Sequence, residues 1–86
     1  MFIIKCLDWW ESIKVMEKSI LVKFGRKVRL ERLKKNLSQE DLGARAGLHR
    51  TYIGMVERAE KNVTLRNIEK ICRALDLRIR DFFKDF

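Results

Sequence analysis

The sequence predicts an all-α fold, with five helices forming one small domain behind a short N-terminal segment. Apolar residues recur every three or four positions along almost the whole chain, which is the period of a helix packed on one face. No period-two pattern typical of strands appears beyond the opening "MFII". With 86 residues, no proline and four glycines, the chain has the length of a single domain and no obvious linker.

Residues 1–18 form an N-terminal extension that we expect to be helical. An apolar stripe with steps of four and three residues runs through this segment and into the domain: Phe2, Cys6, Trp9, Ile13, Met16 and Ile20. Three interpretations stay open: a helix packed on the domain, a partner-binding or dimerising helix in which Trp9 and Trp10 suit an interface, or an upstream extension of a chain that naturally starts at Met16.

The domain, residues 19–86, divides at clear helix signals. A first helix spans 17–37, with Asn36 as its stop. Ser38 and Asp41 form a loose capping box that starts the second helix, and Gly47 supplies the positive φ that a tight turn needs. Thr64 caps a fourth helix, and "LRIRDFFKDF" forms a short fifth one.

The stretch from 38 to 57 matches the helix-turn-helix pattern. Gly43 is small where two helices must approach, and Gly47 makes the turn between them. Inward positions are apolar, at Leu42, Ala46, Leu48, Ile53 and Val56. Two helices joined so tightly cross steeply, and the amino end of the second is presented outward.

That amino end carries the residues suited to reading DNA bases. Arg50 offers a bidentate fork to guanine, Thr51 a hydroxyl and a methyl group, and Tyr52 a ring with one hydrogen-bonding group. Phosphate contacts are expected at the starts of neighbouring helices, where free N–H groups suit an anion. The candidates are Ser38, Gln39, Asn62 and Thr64.

Charge and composition favour the same partner. The net charge is +8, and all of the excess lies after residue 18, because residues 1–18 hold three lysines and three acids. A basic domain of this kind indicates a nucleic-acid partner. Cys6 and Cys72 form no metal or redox motif, no membrane span is long enough, and no catalytic set or phosphate loop appears. We therefore expect a cytoplasmic protein that is not an enzyme and needs no metal or cofactor.

From about Phe24 to Phe83 the sequence resembles the Cro/CI-type helix-turn-helix regulators, the xenobiotic-response-element-like family. "GLHRTYIGMVERAEKNVTLRNIEKICRALDL" is most similar to restriction–modification controller proteins. The resemblance implies a five-helix, lambda-repressor-like domain that binds a palindromic operator as a homodimer. It also implies that Arg32 pairs with Glu57, tying the first helix to the recognition helix.

Three departures from the family pattern are visible. Ala59 stands where glycine is usual, Gly43 replaces a usual alanine and weakens its helix, and His49 stands where a better N-cap is common. The dimer is expected to form through the last helices, where apolar residues exceed what one small core can bury: Leu77, Ile79, Phe82 and Phe83.

These observations predict a sequence-specific transcriptional regulator acting on its own promoter and a linked endonuclease gene. The alternative is an antitoxin-type interaction module, which would bind a partner protein through the N-terminal segment and autoregulate its operon.

Overall fold

The computed structural model describes residues 19–84 and Phe86, and over these residues the fold is five helices. We label residues 19–34 α1, and the chain continues through α2 (Gln39–Ala46), α3 (Arg50–Glu57), α4 (Leu65–Ala74) and α5 (Ile79–Phe82). Helix α2 packs against α3 and α4, and α4 packs against α5. The predicted all-α class is confirmed, while the interpretations of residues 1–18 lie outside the described residues.

The core is a single apolar cluster to which every helix contributes. Its fully buried side chains are Val28, Leu42, Ile53, Val56, Ile71, Cys72, Leu75 and Phe82. Burial raises the pKa of the Cys72 thiol to about 11, which keeps it protonated and unreactive as a small core residue. At Gly25, α1 crosses the end of α3 so closely that an added Cβ would lie 2.5 Å from the Val56 carbonyl oxygen.

Four helices end in the same way. Each is followed by a residue in the left-handed region, at Asn36 (φ 56°), Gly47 (φ 69°), Ala59 (φ 62°) and Asp76 (φ 58°). The next N–H in each case donates back across the last turn, in the bonds Leu37–Arg32, Leu48–Gly43, Glu60–Met55 and Leu77–Cys72, at 2.8–3.1 Å. This is the Schellman arrangement, which satisfies the last carbonyls of a helix and reverses the chain.

The apolar stripes read from the sequence are broader than the buried faces. Leu65 is the first residue of α4 and is 84% exposed, although the helical period groups it with Ile68 and Ile71. Leu30 and Leu33 of α1 are also more than half exposed. Period alone marks a side of a helix, but burial depends on whether another helix covers that side.

Candidate nucleic-acid interface

The helix-turn-helix pair is fixed at its start by a complete capping box. The Ser38 hydroxyl accepts from the Asp41 N–H at 2.9 Å, and the Asp41 carboxylate accepts from the Ser38 N–H at 3.0 Å. The backbone hydrogen bond from Ser38 is the main reason that the pKa of Asp41 lies below its ordinary value. The predicted capping box is confirmed, and it orients the first turn of α2.

Gly43 sets how closely α2 and α3 approach. A Cβ placed on Gly43 would lie 2.5 Å from the carbonyl oxygen of Leu48, in the turn that leads into α3. The sequence predicted both a weakened α2 and a close approach of the two helices at this position. The structure shows that the glycine admits the backbone of the turn, so the lost helix propensity is offset by a tight crossing.

His49 caps α3 despite being an uncommon residue there. Its Nδ1 accepts from the Thr51 N–H at 3.1 Å, which satisfies one of the free donors at the start of the helix. Although a better N-cap is common at this position, the first turn of α3 is capped by His49.

Two of the three proposed base-reading residues are presented to solvent. Arg50 and Thr51 are exposed on the first turn of α3, while Ile53 and Val56 bury the opposite side of the helix in the core. The Arg50 Nη1 lies 3.4 Å from Glu40 Oε2, an exposed pair that links the starts of α2 and α3. A guanidinium and a hydroxyl are thus available at the leading end of the recognition helix.

Tyr52, the third candidate, is held differently. Its ring packs against the core and is half-buried, and its hydroxyl oxygen accepts from the Asn67 Nδ2 of α4 at 3.0 Å. Because a phenol can accept and donate at once, the hydroxyl proton remains available to an outside acceptor such as a phosphate. The hydrogen bond from Asn67 therefore fixes the position of the Tyr52 hydroxyl.

The four proposed phosphate-contacting residues fall into two groups. Ser38 and Gln39 open α2, and Gln39 Nε2 also donates to Glu57 Oε1 at 3.2 Å. Asn62 is exposed in the loop before α4, and the Thr64 hydroxyl accepts from the Asn67 N–H at 3.1 Å as the N-cap of that helix. Both groups lie at helix starts, where backbone N–H groups lack intrahelical partners and suit an anion.

Arg32 and Glu57 form a bidentate pair between α1 and α3. Arg32 Nε and Nη2 donate to the two carboxylate oxygens of Glu57 at 2.7 and 3.0 Å, and Nη1 donates to the Leu37 carbonyl at 2.8 Å. The side chains are 10% and 4% exposed. With Gln39 also bound to Glu57, one buried carboxylate connects α1, the start of α2 and the end of α3.

The last helix corrects one expectation about the dimer surface. Phe82 is fully buried within the protomer, with its ring centroid 5.3 Å from Phe24 and 5.1 Å from Phe83, so it belongs to the core and not to a free surface. Ile79 is 45% exposed, whereas Leu77 and Phe83 are half-buried. Phe82 lies on the side of this four-residue helix that faces the core, and the apolar pattern in the sequence did not identify which side that is.

Arg58, at the trailing end of α3, is not among the site residues that the sequence predicted. Its guanidinium is exposed and donates to the Glu60 carboxylate at 3.0 and 3.3 Å. The available signal was spacing, because Arg58 follows Thr51 by two helical turns and so shares its side of the helix.

Among the described residues, no group of histidine, cysteine or acidic side chains is placed to hold a metal ion. No helix in that same part of the chain is long and apolar enough to cross a membrane.

Comparisons with known proteins agree with this geometry. A family model described as helix-turn-helix matches residues 28–82. The chain is 51% identical over 67 residues to control protein C.BamHI of Bacillus amyloliquefaciens, covering 77% of this chain and 83% of that protein. The crystal structure of the restriction-modification controller protein C.AhdI from Aeromonas hydrophila superposes with a TM-score of 0.73 at 49% identity, over 76% of this chain and 98% of that one. The C.Esp1396I controller tetramer bound to its natural 35 base-pair operator gives a TM-score of 0.71 at 36% identity, over 74% of this chain and 84% of that one.

Proposed function

Because the chain belongs to the helix-turn-helix family of the Cro/CI type, we propose that it is a sequence-specific DNA-binding transcriptional regulator of the restriction–modification controller kind. It acts on its own promoter and on a linked endonuclease gene. Its partner is double-stranded DNA, and we expect it to act in the cytoplasm.

The observation that carries this proposal is the presentation of the first turn of α3. Arg50 and Thr51 project to solvent from a helix whose other side is locked into the core by Ile53 and Val56. A rigid helix with a guanidinium and a hydroxyl at its leading end fits the major groove, where such groups reach base edges. The fork of Arg50 suits guanine, and Thr51 can meet a thymine methyl.

The surrounding residues support a grip on the DNA backbone. Ser38 and Gln39 at the start of α2, and Asn62 and Thr64 before α4, would hold phosphates on either side of the recognition helix. The Tyr52 hydroxyl, fixed by Asn67, serves as a donor to bases or to nearby backbone. These contacts set the register in which Arg50 and Thr51 meet the bases.

We propose that the protein binds a palindromic operator as a homodimer. Ile79 is exposed beside the half-buried Leu77 and Phe83, which leaves an apolar surface on the last helix for a second copy. The related C.Esp1396I protein occupies its operator as a tetramer, which supports assembly on DNA. Half-sites then lie about one helical turn apart, roughly 10 base pairs centre to centre.

The test separates base reading from backbone contact. Binding of the upstream DNA and of its single-base variants is measured by fluorescence anisotropy for the wild type, Arg50→Ala and Gln39→Ala. Arg50→Ala should lose about 1–3 kcal/mol of discrimination at one base pair per half-site. Gln39→Ala should weaken binding to upstream and random DNA by similar factors and keep the base preference.

Thermal melts control for folding, since Gln39 also donates to the buried Glu57. A wild-type protein that binds upstream and random DNA equally would contradict the proposal. Retention of full base preference in Arg50→Ala would instead show that the base-reading position on α3 is assigned to the wrong residue.

A further inference from the structure

The outward side of α3 ends in an arginine held by a neighbouring acid. We propose that Arg58 contacts a DNA phosphate at the wall of the major groove, and that Glu60 holds its guanidinium in the free protein and competes with DNA for it. This inference rests on the proposed function. It adds a DNA-contacting residue and a device that moderates affinity for DNA of any sequence.

The position of Arg58 follows from helix geometry. Seven residues separate it from Thr51, which at ~100° per residue brings it to within about 20° of the same direction. That direction is opposite the side on which Ile53 and Val56 are buried. The two residues lie ~10 Å apart along the axis, and a major groove is about 12 Å wide. When Thr51 contacts the bases, the trailing end of α3 therefore reaches the wall of the major groove, which is lined by phosphates.

Gly54 shapes the surface on which Arg58 lies. A Cβ added to Gly54 would meet Arg58 Nη1 at 3.1 Å and Gln39 Oε1 at 3.2 Å. The guanidinium thus lies across the bare backbone of α3, next to the side chain of Gln39. Because Gly54 has no side chain, Arg58 lies next to Gln39, which is one of the proposed phosphate contacts.

Glu60 is well placed to compete for the guanidinium. Its two carboxylate oxygens accept from Arg58 Nε and Nη2 at 3.0 and 3.3 Å, and the two side chains are 57% and 51% exposed. An exposed pair of this kind is weak and screened by salt, so a phosphate can displace the carboxylate. Arg50 also has an acidic neighbour, since its Nη1 lies 3.4 Å from Glu40 Oε2, so the exposed arginines at both ends of α3 carry an acidic partner in the free protein.

The helix ends give an independent reason to single out Glu60. After three of the four left-handed residues the chain places a leucine that packs against the core, at Leu37, Leu48 and Leu77. After Ala59, at the end of α3, it places Glu60, which is exposed. This position is the usual site of a hydrophobic contact in the Schellman motif. At the end of the recognition helix, this position instead holds Glu60, whose carboxylate pairs with Arg58.

The experiment measures binding of the full chain to its upstream DNA and to a random duplex over a range of salt concentrations. The variants are Arg58→Ala, Arg58→Lys, Glu60→Gln and the double variant Arg58→Ala with Glu60→Gln. The matched control is the exposed pair of Arg73 and Glu69 on α4, joined at 3.3 Å and changed to Arg73→Ala and Glu69→Gln.

Arg58→Ala should weaken binding to both DNAs several-fold and make the salt slope shallower by about 0.9, the value for one lost phosphate contact. Arg58→Lys should keep the slope. Glu60→Gln should tighten binding to both DNAs by about 1.5- to 5-fold, the range set by an exposed ion pair, and this gain should vanish when Arg58 is alanine. The α4 variants should keep the wild-type slope.

Two results would overturn the inference: an unchanged salt slope in Arg58→Ala, or an equal gain from Glu60→Gln with and without Arg58. Either result, in a wild-type background that still prefers the upstream DNA, leaves the proposed function standing. A wild type without that preference would count against the proposed function itself.

Discussion

Truncating Glu57 to alanine tests the buried pair that connects three helices. The change removes the acceptor of two Arg32 bonds at 2.7 and 3.0 Å and of one Gln39 bond at 3.2 Å. Arg32 then keeps only the Leu37 carbonyl at 2.8 Å, while its side chain stays 10% exposed. A cation left buried without its counter-ion should destabilise the fold by about 3–5 kcal/mol.

That loss is large for a domain of this size. Stability of roughly 0.05–0.15 kcal/mol per residue gives this chain about 4–13 kcal/mol in total. Glu57→Ala should therefore remove roughly a quarter or more of it, and lower the melting temperature by roughly 4–8 °C per kcal/mol lost. Urea unfolding followed by far-ultraviolet circular dichroism measures the loss directly.

A double-mutant cycle separates the interaction energy of the Arg32–Glu57 pair from the contributions of the two side chains taken singly. Arg32→Met with Glu57→Leu removes both charges and keeps apolar volume, so it should be less destabilising than the sum of the two single changes. The exposed pair of Arg73 and Glu69 serves as control, with a coupling near zero. If Glu57→Ala costs less than about 1 kcal/mol, the contacts around this carboxylate do not stabilise the fold, and the reasoning from burial is wrong.

Three further predictions concern the turn, the cap and the dimer. Gly43→Ala should lower the melting temperature despite its gain in helix propensity, because its Cβ would meet a backbone carbonyl oxygen at 2.5 Å; an unchanged or raised melting temperature would contradict the close crossing. The Ser38 N–H holds the pKa of Asp41 below its ordinary value, so the ionised Asp41 carboxylate stabilises the fold at any pH above that ordinary value. This stabilisation is lost as the pH falls through the lowered pKa. Asp41→Asn should therefore melt with a weaker pH dependence in acid, and a profile identical to that of the wild type would argue against the cap. Ile79→Asp should yield monomers in sedimentation velocity while Leu30→Asp, at a more exposed apolar site on α1, should not; a dimer that survives the change at Ile79 would place the interface elsewhere.

The local signals in the sequence predicted the helices well. Ser38 and Asp41 form the cap, and Gly47 takes the left-handed turn, because these effects depend on residues within one turn of each other. Thr64 caps α4 for the same reason. The tightly connected α2–α3 pair follows from such short-range chemistry, and the sequence was enough to locate it.

Properties that depend on what lies across the fold were harder to predict. Leu65 and Phe82 both sit in apolar patterns, yet one is exposed and the other fully buried, because only the second is covered by α1. Asn67, fifteen positions from Tyr52, fixes its hydroxyl through a contact that no spacing rule indicates. For the candidate interface, the sequence located the leading end of α3, whereas the pairing of Arg58 with Glu60 emerged only from the geometry.

The repeated ending of the helices has a consequence for how the chain folds. Each of the four reversals at Asn36, Gly47, Ala59 and Asp76 is closed by a hydrogen bond between residues five positions apart. The direction in which each helix leaves its predecessor is therefore set locally, before distant parts of the chain meet. Chains dominated by such short-range closures fold quickly, in microseconds to milliseconds for helical domains. We therefore expect a regulator built this way to fold soon after its synthesis, so that the delay before it acts is set by its concentration and not by its folding.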